Sequence, residues 1–297
     1  MYKVCILLST YNGEKYLQQQ IDSLYAQINV DVRIFVRDDG SNDQTIAILK
    51  SNENACFSWY RGSGNIGPAK SFMELIKLAP ECDYYAFCDQ DDYWKPEKLS
   101  KAISLLKNTP DDKSAFYYSN VNVTDENLNV LSTSDINVQY SNLKHVMMHN
   151  SAIGCTVVFN NKLRSTILEY NPEYIYMHDW WLYQVCLVTN GIVIFDHNSY
   201  ILYRQHDSNA VGFYSKRRSI FDRVFKKAER INSKMALELL KGYKNYMSEE
   251  TYCTIYDLAN YTNVLKCKFH IINDNSFFRE SGKERLIEKL AVIRNRK

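Results

Sequence analysis

The sequence predicts an α/β fold with a mostly parallel sheet flanked by helices, followed by a helical C-terminal extension. The first observation is that short apolar segments, polar loops and amphipathic segments alternate throughout residues 1–105, the order typical of β–α units. The second is that residues 213–297 begin with a basic, helically patterned segment and continue rich in Tyr, Lys and Leu. In open sheets of this kind ligands bind at the carboxyl ends of the strands.

The elements follow in a regular order along the first third of the chain. Residues 4–8 form an apolar run suited to a buried parallel strand, and an amphipathic helix is expected over 14–27. Thr10, Asp39 and Asp91, which follow different strands, are expected to share one rim. The other predicted elements are strand 32–36, helix 44–50, strand 57–61, helix 69–78, strand 84–88, a helix from near Pro96, a strand within 150–159, a helix from His178 and strand 199–202.

Composition is that of an ordinary globular protein. Hydrophobic residues make up 45% and charged residues 24%, which argues against disorder. The net charge of +2 indicates little about partners, and no nucleic-acid partner is predicted. The eight cysteines show no CxxC pairing typical of zinc sites, so reduced thiols in a cytoplasmic protein are expected. The chain runs directly into its first strand, which predicts no signal peptide, and no apolar run is long enough to span a membrane.

Three carboxylates cluster directly after the apolar run 84–88. Asp89, Asp91 and Asp92 lie within four residues, with Gln90 between them. Clustered acids repel one another unless a cation or donor network holds them. Oxygen ligands suit Mg²⁺ or Mn²⁺, which commonly link protein carboxylates to phosphates, so the cluster predicts a metal-diphosphate site. The alternative is an acidic turn that caps the following helix.

These motifs together resemble the family 2 glycosyltransferases, which have the GT-A fold. The resemblance covers roughly residues 1–212, and its finer features are similar to bacterial rhamnosyltransferases of surface-polysaccharide biosynthesis. It implies a catalytic domain over 1–212, with a nucleotide-binding half (1–105) and an acceptor half (106–212), and 213–297 as the extension. The motifs that carry it are Ser9-Thr10-Tyr11-Asn12, Asp38-Asp39-Gly40-Ser41-Asn42-Asp43, Asp89-Gln90-Asp91-Asp92, His178-Asp179-Trp180-Trp181 and Tyr203-Arg204-Gln205-His206.

The resemblance implies an inverting, metal-dependent transfer from a nucleotide-diphosphate sugar, with dTDP-L-rhamnose as the first candidate donor. The acceptor is expected to be a saccharide or a polyprenyl-diphosphate-linked saccharide. Acidic acceptors near Thr10 would bond the N3–H of uracil or thymine, although Asp-Gly and Ser-Asn are also common turn formers. The residues assigned to the donor and nucleotide are Thr10, Tyr11, Asn12, Asp38, Asp39, Asn65, Lys70, Asp89, Gln90 and Arg204.

The turn 62–67 offers a competing interpretation. It fits GxGxxG, follows a strand, precedes a helix and has Asp89 a little over twenty residues on, as in an NAD-dependent oxidoreductase. That fingerprint belongs in the first strand-to-helix turn, which here is 9–13 and holds a single glycine. A non-catalytic nucleotide-sugar-binding protein of the same fold is a further alternative.

Asp179 is the expected catalytic base, because an inverting transfer needs a group that takes the proton of the acceptor hydroxyl. Asp is also a common N-cap, which is the structural alternative for a residue at a helix start. Members of the family that this sequence resembles often have Glu-Asp at this position, whereas this chain has His178 before Asp179. Trp180 and Trp181 are expected either to stack on a sugar ring or to lie in the core.

The remaining site assignments complete the metal shell and the acceptor side. His206 is expected to bind the metal with Asp91, and Arg204 to neutralise the leaving diphosphate. A lone histidine is more often structural. The acceptor side is expected to include Asp92, Asn150 and Ser151, the last two of which are equally interpretable as turn residues.

Residues 216–231 predict a basic amphipathic helix. It is interpreted either as a helix packed on the catalytic domain or as a peripheral contact with an anionic membrane surface, on the inner face of the plasma membrane. Residues 232–297 are expected to be helical and either to pack on the domain or to mediate a homodimer.

Overall fold

The computed structural model describes residues 1–134, 142–206 and 230–294. Within these ranges nine strands form one mixed sheet in the order β3-β2-β1-β4-β8-β6-β9-β5, with β7 paired to β6. The strands are β1 (Lys3–Thr10), β2 (Asp31–Asp38), β3 (Phe57–Arg61), β4 (Tyr84–Cys88), β5 (Tyr93–Trp94), β6 (Ala115–Thr124), β7 (Val130–Thr133), β8 (Val158–Asn160) and β9 (Ile192–Arg204).

Helices cover both faces of this sheet and form the C-terminal part. The helices over the sheet are α1 (Leu17–Tyr25), α2 (Thr45–Asn52), α3 (Pro68–Leu78), α4 (Lys98–Leu106), α5 (Leu143–Met148), α6 (Asn161–Leu168) and α7 (His178–Val188). The C-terminal helices are α8 (Ile231–Tyr243), α9 (Glu249–Asn260), α10 (Leu265–Asn273) and α11 (Gly282–Ile293).

The first four strands are parallel, as predicted, and their loops open on one edge. β1 pairs in parallel with both β2 and β4, and β2 with β3. The helix predicted from residue 14 begins only at Leu17. The reason is a tight turn: the Gly13 carbonyl accepts hydrogen bonds from the N–H groups of Tyr16 and Leu17, at 3.1 Å each.

The second half of the sheet is mixed rather than parallel. β8 runs antiparallel to β4 and β6, whereas β6 and β9 are parallel. The predicted strand 199–202 is part of the 13-residue strand β9, most of whose side chains are only partly buried. Pairing with β6 and β5, rather than burial, sets its length, so apolar patterning detects only part of it.

Apolar side chains pack on both faces of the sheet. On β1, Cys5 and Leu7 face one cluster while Val4, Ile6 and Leu8 face the other. A strand covered on both sides is apolar at every position, which explains the continuous run that predicted it.

The C-terminal helices confirm the helical prediction for the described part of residues 232–297. Met235, Leu239 and Tyr243 of α8 lie in the same apolar cluster as Trp181 of α7. Among the described residues, no helix is long and apolar enough to cross a membrane. The predicted basic helix 216–231 lies, up to residue 229, outside the described residues.

Candidate active site

The loops after β1, β2 and β4 meet at one edge of the sheet. Thr10 Oγ1 donates to Asp38 Oδ1 at 3.2 Å, and the Asp39 N–H donates to the Thr10 carbonyl at 2.7 Å. Asp91 follows β4, which pairs with β1. The shared rim predicted for Thr10, Asp39 and Asp91 therefore exists.

Asp38 organises its own loop. Its side chain is fully buried, and Oδ2 accepts the N–H groups of Gly40 and Ser41 at 3.0 Å each. A carboxylate used in this way shapes the turn after β2. This burial is at odds with a direct contact between Asp38 and the nucleotide.

Asn12 and Gln90 form hydrogen bonds that connect the loop after β1 to the loops after β2 and β4. Asn12 has a φ of 48°, donates its N–H to Ser41 Oγ at 2.9 Å and accepts from the Asn42 N–H at 2.9 Å. The Gln90 amide accepts the Tyr11 N–H at 2.9 Å and donates to the Tyr11 carbonyl at 3.0 Å. Both amides therefore hold the backbone of the β1 loop, while the Tyr11 side chain is 43% exposed on the rim.

Asp39 lies under the glycine-rich turn 62–67. Its carboxylate pairs with the Arg37 guanidinium and accepts the N–H groups of Ile66 and Gly67 at 3.0 Å. These N–H groups would have to hold a pyrophosphate in a dinucleotide-binding turn, so their use by Asp39 argues against that interpretation. The predicted donor residues Asn65 and Lys70 are both exposed beside this turn.

Asp91 and His206 lie together, as the metal prediction requires. Asp91 Oδ2 is 2.9 Å from His206 Nε2, and 15% and 10% of the two side chains are exposed. The Tyr16 ring packs on the imidazole with its centroid 5.1 Å away. The pair is therefore oriented yet reachable by an ion.

Arg204 is a scaffold for this pair. It is 2% exposed, its Nε donates to the Asp91 carbonyl at 2.8 Å, and its Nη2 donates to Gln19 Oε1 at 2.6 Å. Its Nη1 donates to the Glu126 carbonyl, and the guanidinium lies over the Tyr16 ring at 4.3 Å. These bonds are at odds with the expected direct contact between Arg204 and a leaving diphosphate.

Asp92 is the last residue of the loop of residues 89–92 between β4 and β5, called the acid loop below. It is fully buried, and its Oδ1 accepts the Arg204 N–H at 3.1 Å. Donor atoms of Asp89, Asp92 and Cys155 lie within 4.8 Å of one another. The predicted acceptor contact of Asp92 conflicts with this burial; the residue instead ties the acid loop to the end of β9.

Asp89 is partly buried between two other carboxylates. Burial raises its pKa, and the negative charges of Asp91 and Asp179 raise it further. The charge of Asp179, on the first turn of α7, therefore acts on the loop after β4, although the two residues are far apart in the sequence.

Asp179 is a buried carboxylate, and its Oδ1 accepts the Trp180 N–H at 2.7 Å. Burial raises its pKa to about 6, against the lowering effect of this bond and of hydrogen bonding to the Asn150 side chain and to the backbone of Gly154 and of Asp179 itself. The N-cap of α7 is Met177, so the alternative of Asp179 as N-cap is wrong, although its carboxylate does bond within the first turn.

His178 supports the site through packing. It is 3% exposed and stacks on Phe72, with ring centroids 4.0 Å apart and an interplanar angle of 24°. Burial lowers its pKa to about 3, so the imidazole is neutral. It therefore adds no charge beside Asp179.

Trp180 and Trp181 lie in the core. Trp180 is 5% exposed and donates its Nε1–H to the Val146 carbonyl at 2.6 Å, and Trp181 is fully buried near Tyr243. Both rings belong to the apolar core cluster, which agrees with the core alternative and conflicts with the expected stacking on a sugar. Asn150 is exposed, and Ser151 is partly buried.

Two residues at the site received no role from the sequence. Arg37 was not singled out, although a charged residue next to the apolar run 34–36 is an available signal. Tyr203 was named only as part of a motif. Its ring packs against the apolar cluster that contains Ile201, and burial and the charges of Cys155, Asp92 and Asp89 raise its pKa.

Comparisons with known proteins agree with this geometry. Residues 5–160 match the family model described as Glycosyl transferase family 2. The dTDP-rhamnosyl transferase RfbG of Shigella flexneri is 28% identical over 229 residues, which cover 69% of this chain and 73% of RfbG. The UDP-Glc:alpha-D-GlcNAc-diphosphoundecaprenol beta-1,3-glucosyltransferase WfgD of Escherichia coli is 27% identical over 194 residues, 64% of this chain and 72% of WfgD.

A solved structure is similar over most of the chain. The structure of S. aureus TarS residues 1–349 in complex with UDP-GlcNAc aligns with a TM-score of 0.59 and 17% identity, covering 93% of this chain and 81% of that one. At this identity the similarity shows the fold alone. It confirms the predicted α/β architecture of the GT-A type, with C-terminal helices.

Proposed function

The chain belongs to glycosyl transferase family 2 and is a glycosyltransferase, and from this we propose an inverting, metal-dependent transfer from a nucleotide-diphosphate sugar to a saccharide. One observation carries the proposal. In the Asp91–His206 pair, 2.9 Å apart, Asp91 follows the same strand as Asp89, whose pKa burial raises and the charge of Asp179 helps to raise. This supports a metal-and-phosphate side formed by the pair and a base side formed by Asp179.

The donor set of Asp91 and His206 fits a divalent ion. A carboxylate oxygen and an imidazole nitrogen suit Mn²⁺ better than Mg²⁺, which prefers oxygen ligands and retains more of its water. When bound, the ion would supply positive charge that neutralises the departing nucleoside diphosphate. Tyr16 and Arg204 hold the two ligand residues in place through the packing and hydrogen bonds described above.

Asp179 is proposed to take the proton of the acceptor hydroxyl as its oxygen bonds to the anomeric carbon and the bond to the diphosphate breaks. A base works best when its pKa lies near the operating pH, and a pKa of about 6 leaves it mostly ionised yet basic at neutral pH. Asn150 and the Gly154 N–H orient the carboxylate. Asn150 is exposed beside it and is proposed, with Ser151, to meet the acceptor.

The proposed donor is dTDP-L-rhamnose. The similarity to RfbG, a dTDP-rhamnosyl transferase, supports this choice, as does Asp39, whose carboxylate suits the ring N–H of thymine or uracil. The proposed acceptor is a polyprenyl-diphosphate-linked saccharide in cell-surface polysaccharide synthesis. WfgD, whose name includes a diphosphoundecaprenol-linked acceptor, supports that class.

Such an acceptor would be presented at a membrane. We propose that the protein works in the cytoplasm on the inner face of the plasma membrane and that residues 216–231 contact anionic lipid. Seven cations against two acids over 216–230 support this. Co-sedimentation with anionic and neutral liposomes tests it: equal binding to both would contradict the proposed lipid contact.

A panel of nucleotides tests the function. The thermal midpoint should rise with dTDP or UDP in the presence of Mn²⁺, and less with CDP or GDP, because ligands that bind only the native state stabilise it. Release of dTDP from dTDP-rhamnose should then require Mn²⁺ and increase with a suitable acceptor. Binding without any donor hydrolysis or transfer would favour a non-catalytic nucleotide-sugar-binding protein. No shift with any nucleotide would reject the proposal.

A further inference from the structure

A guanidinium is buried beneath the loops of the nucleotide side. Arg37, at the end of β2, is 3% exposed and pairs with Asp39, which is also 3% exposed. Arginine is almost never buried without a partner. Its Nη1 also reaches Ser71 Oγ at 3.3 Å, and its Nη2 reaches the Gly64 carbonyl at 3.4 Å.

These contacts join the loop after β2 to the turn before α3. Asp39 follows β2, Gly64 belongs to the turn between β3 and α3, and Ser71 on α3 in turn lies 2.6 Å, Oγ to Oγ, from Ser9 near the end of β1. Removal of the guanidinium would leave Asp39 as a buried carboxylate without its counter-charge. Arg37 is therefore placed to set the position of the β2 loop relative to the turn and to α3.

The same contacts nearly fill the hydrogen-bonding capacity of Asp39. A carboxylate offers about four acceptor positions. Arg37 and the Ile66 N–H donate to Oδ1, and the Ile66 and Gly67 N–H groups donate to Oδ2, so the Ile66 N–H is shared between the two oxygens. Three donors therefore serve four positions, and their placement fixes the direction from which a fourth donor can approach.

The absence of a side chain at Gly62 leaves room for the Arg37 guanidinium. A Cβ built on Gly62 would lie 2.6 Å from Arg37 Cζ, closer than real Cβ contacts, and closer still to Nη2. Its backbone is not in the left-handed region, so an L side chain is permitted conformationally. An added methyl group at Gly62 therefore acts mainly by displacing the guanidinium.

We infer that Arg37 is a positioning residue that holds the Asp39 carboxylate in the orientation that accepts the imide N–H of a nucleobase, and so selects uracil or thymine over cytosine. The inference rests on the proposed function. Cytosine carries no ring N–H at that edge, and its N3 lone pair would face the carboxylate. The selectivity thus depends on the orientation of the Asp39 carboxylate, which the Arg37 contacts fix.

The test measures dissociation constants for dTDP, UDP and CDP with Mn²⁺ by titration calorimetry. Gly62→Ala and Arg37→Lys should weaken dTDP and UDP binding roughly tenfold to hundredfold, the range of a lost hydrogen bond to a charged group, and change CDP binding little. The kcat at saturating donor should stay within about twofold in both variants, because Asp179 is untouched. Arg33→Lys, exposed on the same strand, and Gly282→Ala, whose Cβ would meet nothing within 4 Å, are the controls.

A double variant isolates the contact. In an Arg37→Met background, Gly62→Ala should have no further effect, because the guanidinium that the methyl group displaces is gone. An equal loss in both backgrounds, or wild-type affinity and selectivity in Gly62→Ala, overturns the inference. If circular dichroism shows that Arg37→Met does not fold, the nucleotide affinities of Gly62→Ala decide the test by themselves, because that variant keeps the charges of both Arg37 and Asp39. A wild-type protein that binds no nucleoside diphosphate rejects the proposed function itself, which is a different result.

Discussion

Asp91 Oδ2 and His206 Nε2 lie 2.9 Å apart although the two residues are 115 positions apart in the sequence. Two contacts next to them produce this approach. The short strand β5 pairs with β9, and the Arg204 N–H donates to Asp92, which ties the loop after β4 to the end of β9. Strand pairing and the Arg204–Asp92 hydrogen bond therefore bring the two proposed metal ligands together without an ion.

His206→Ala should lower Mn²⁺ affinity measured with dTDP present by at least about tenfold, because the site loses one of its two proposed protein ligands. His270→Ala is a matched control, since His270 also pairs with a carboxylate at 2.9 Å, that of Asp257, in the C-terminal helices. An equal loss of affinity in both variants would contradict the assignment of His206.

Mn²⁺ should bind the free protein much more weakly than the protein with dTDP, since two side chains leave most coordination positions to water. Titration calorimetry with and without dTDP measures the difference. Equal affinities would argue against a shared metal-diphosphate site, and an Asp91→Asn variant with unchanged metal-dependent activity would remove Asp91 as a ligand.

Asp179→Asn should reduce transfer by about 10²–10⁴-fold, the usual contribution of a general base. Asn retains the acceptor for the Trp180 N–H, so dTDP binding and folding should persist. Single-turnover transfer and calorimetry on the same preparation separate the two effects. Near-wild-type turnover would return Asp179 to a structural role.

The pH profile should show an acidic limb set by Asp179. Its pKa of about 6 means that kcat/KM falls as pH drops below about 6 and the carboxylate takes up a proton. The pKa is raised above its unfolded value, so the associated stability is present below about pH 4 and lost as pH rises through about 6. Asp179→Asn should remove both dependences; a wild-type-like acidic limb in the variant would assign it to another group.

Trp181→Ala should destabilise the fold by about 3–5 kcal/mol, the usual cost of emptying a core site of this size. Trp181→Phe should leave the acceptor KM unchanged, because the ring is fully buried. Denaturant unfolding and initial-rate kinetics measure the two quantities. A raised KM with unchanged stability would instead support sugar stacking.

The sequence located most of the elements and several of the site residues. The strands β1 and β4 are buried on both faces, so each is a continuous apolar run that ends near the loop, whereas β2 has only the shorter apolar run 34–36 between Arg33 and Arg37. Parallel pairing then requires these loops to share an edge. The Asp91–His206 contact was also predicted, but from the resemblance, since nothing local in either segment specifies the other.

Only the tertiary structure shows which polar residues can contact a ligand and which are used inside the protein. Asp38, Asp92 and Arg204 are of the types expected at a metal-diphosphate site, yet their burial and internal hydrogen bonds make them supports of the loops. Trp180 and Trp181 likewise lie in the core once α8 packs on α7. A sequence determines the chemical groups and the local periodicity. Accessibility and the direction of a lone pair depend on residues far away in the chain, such as Arg37 beneath the turn at Gly62.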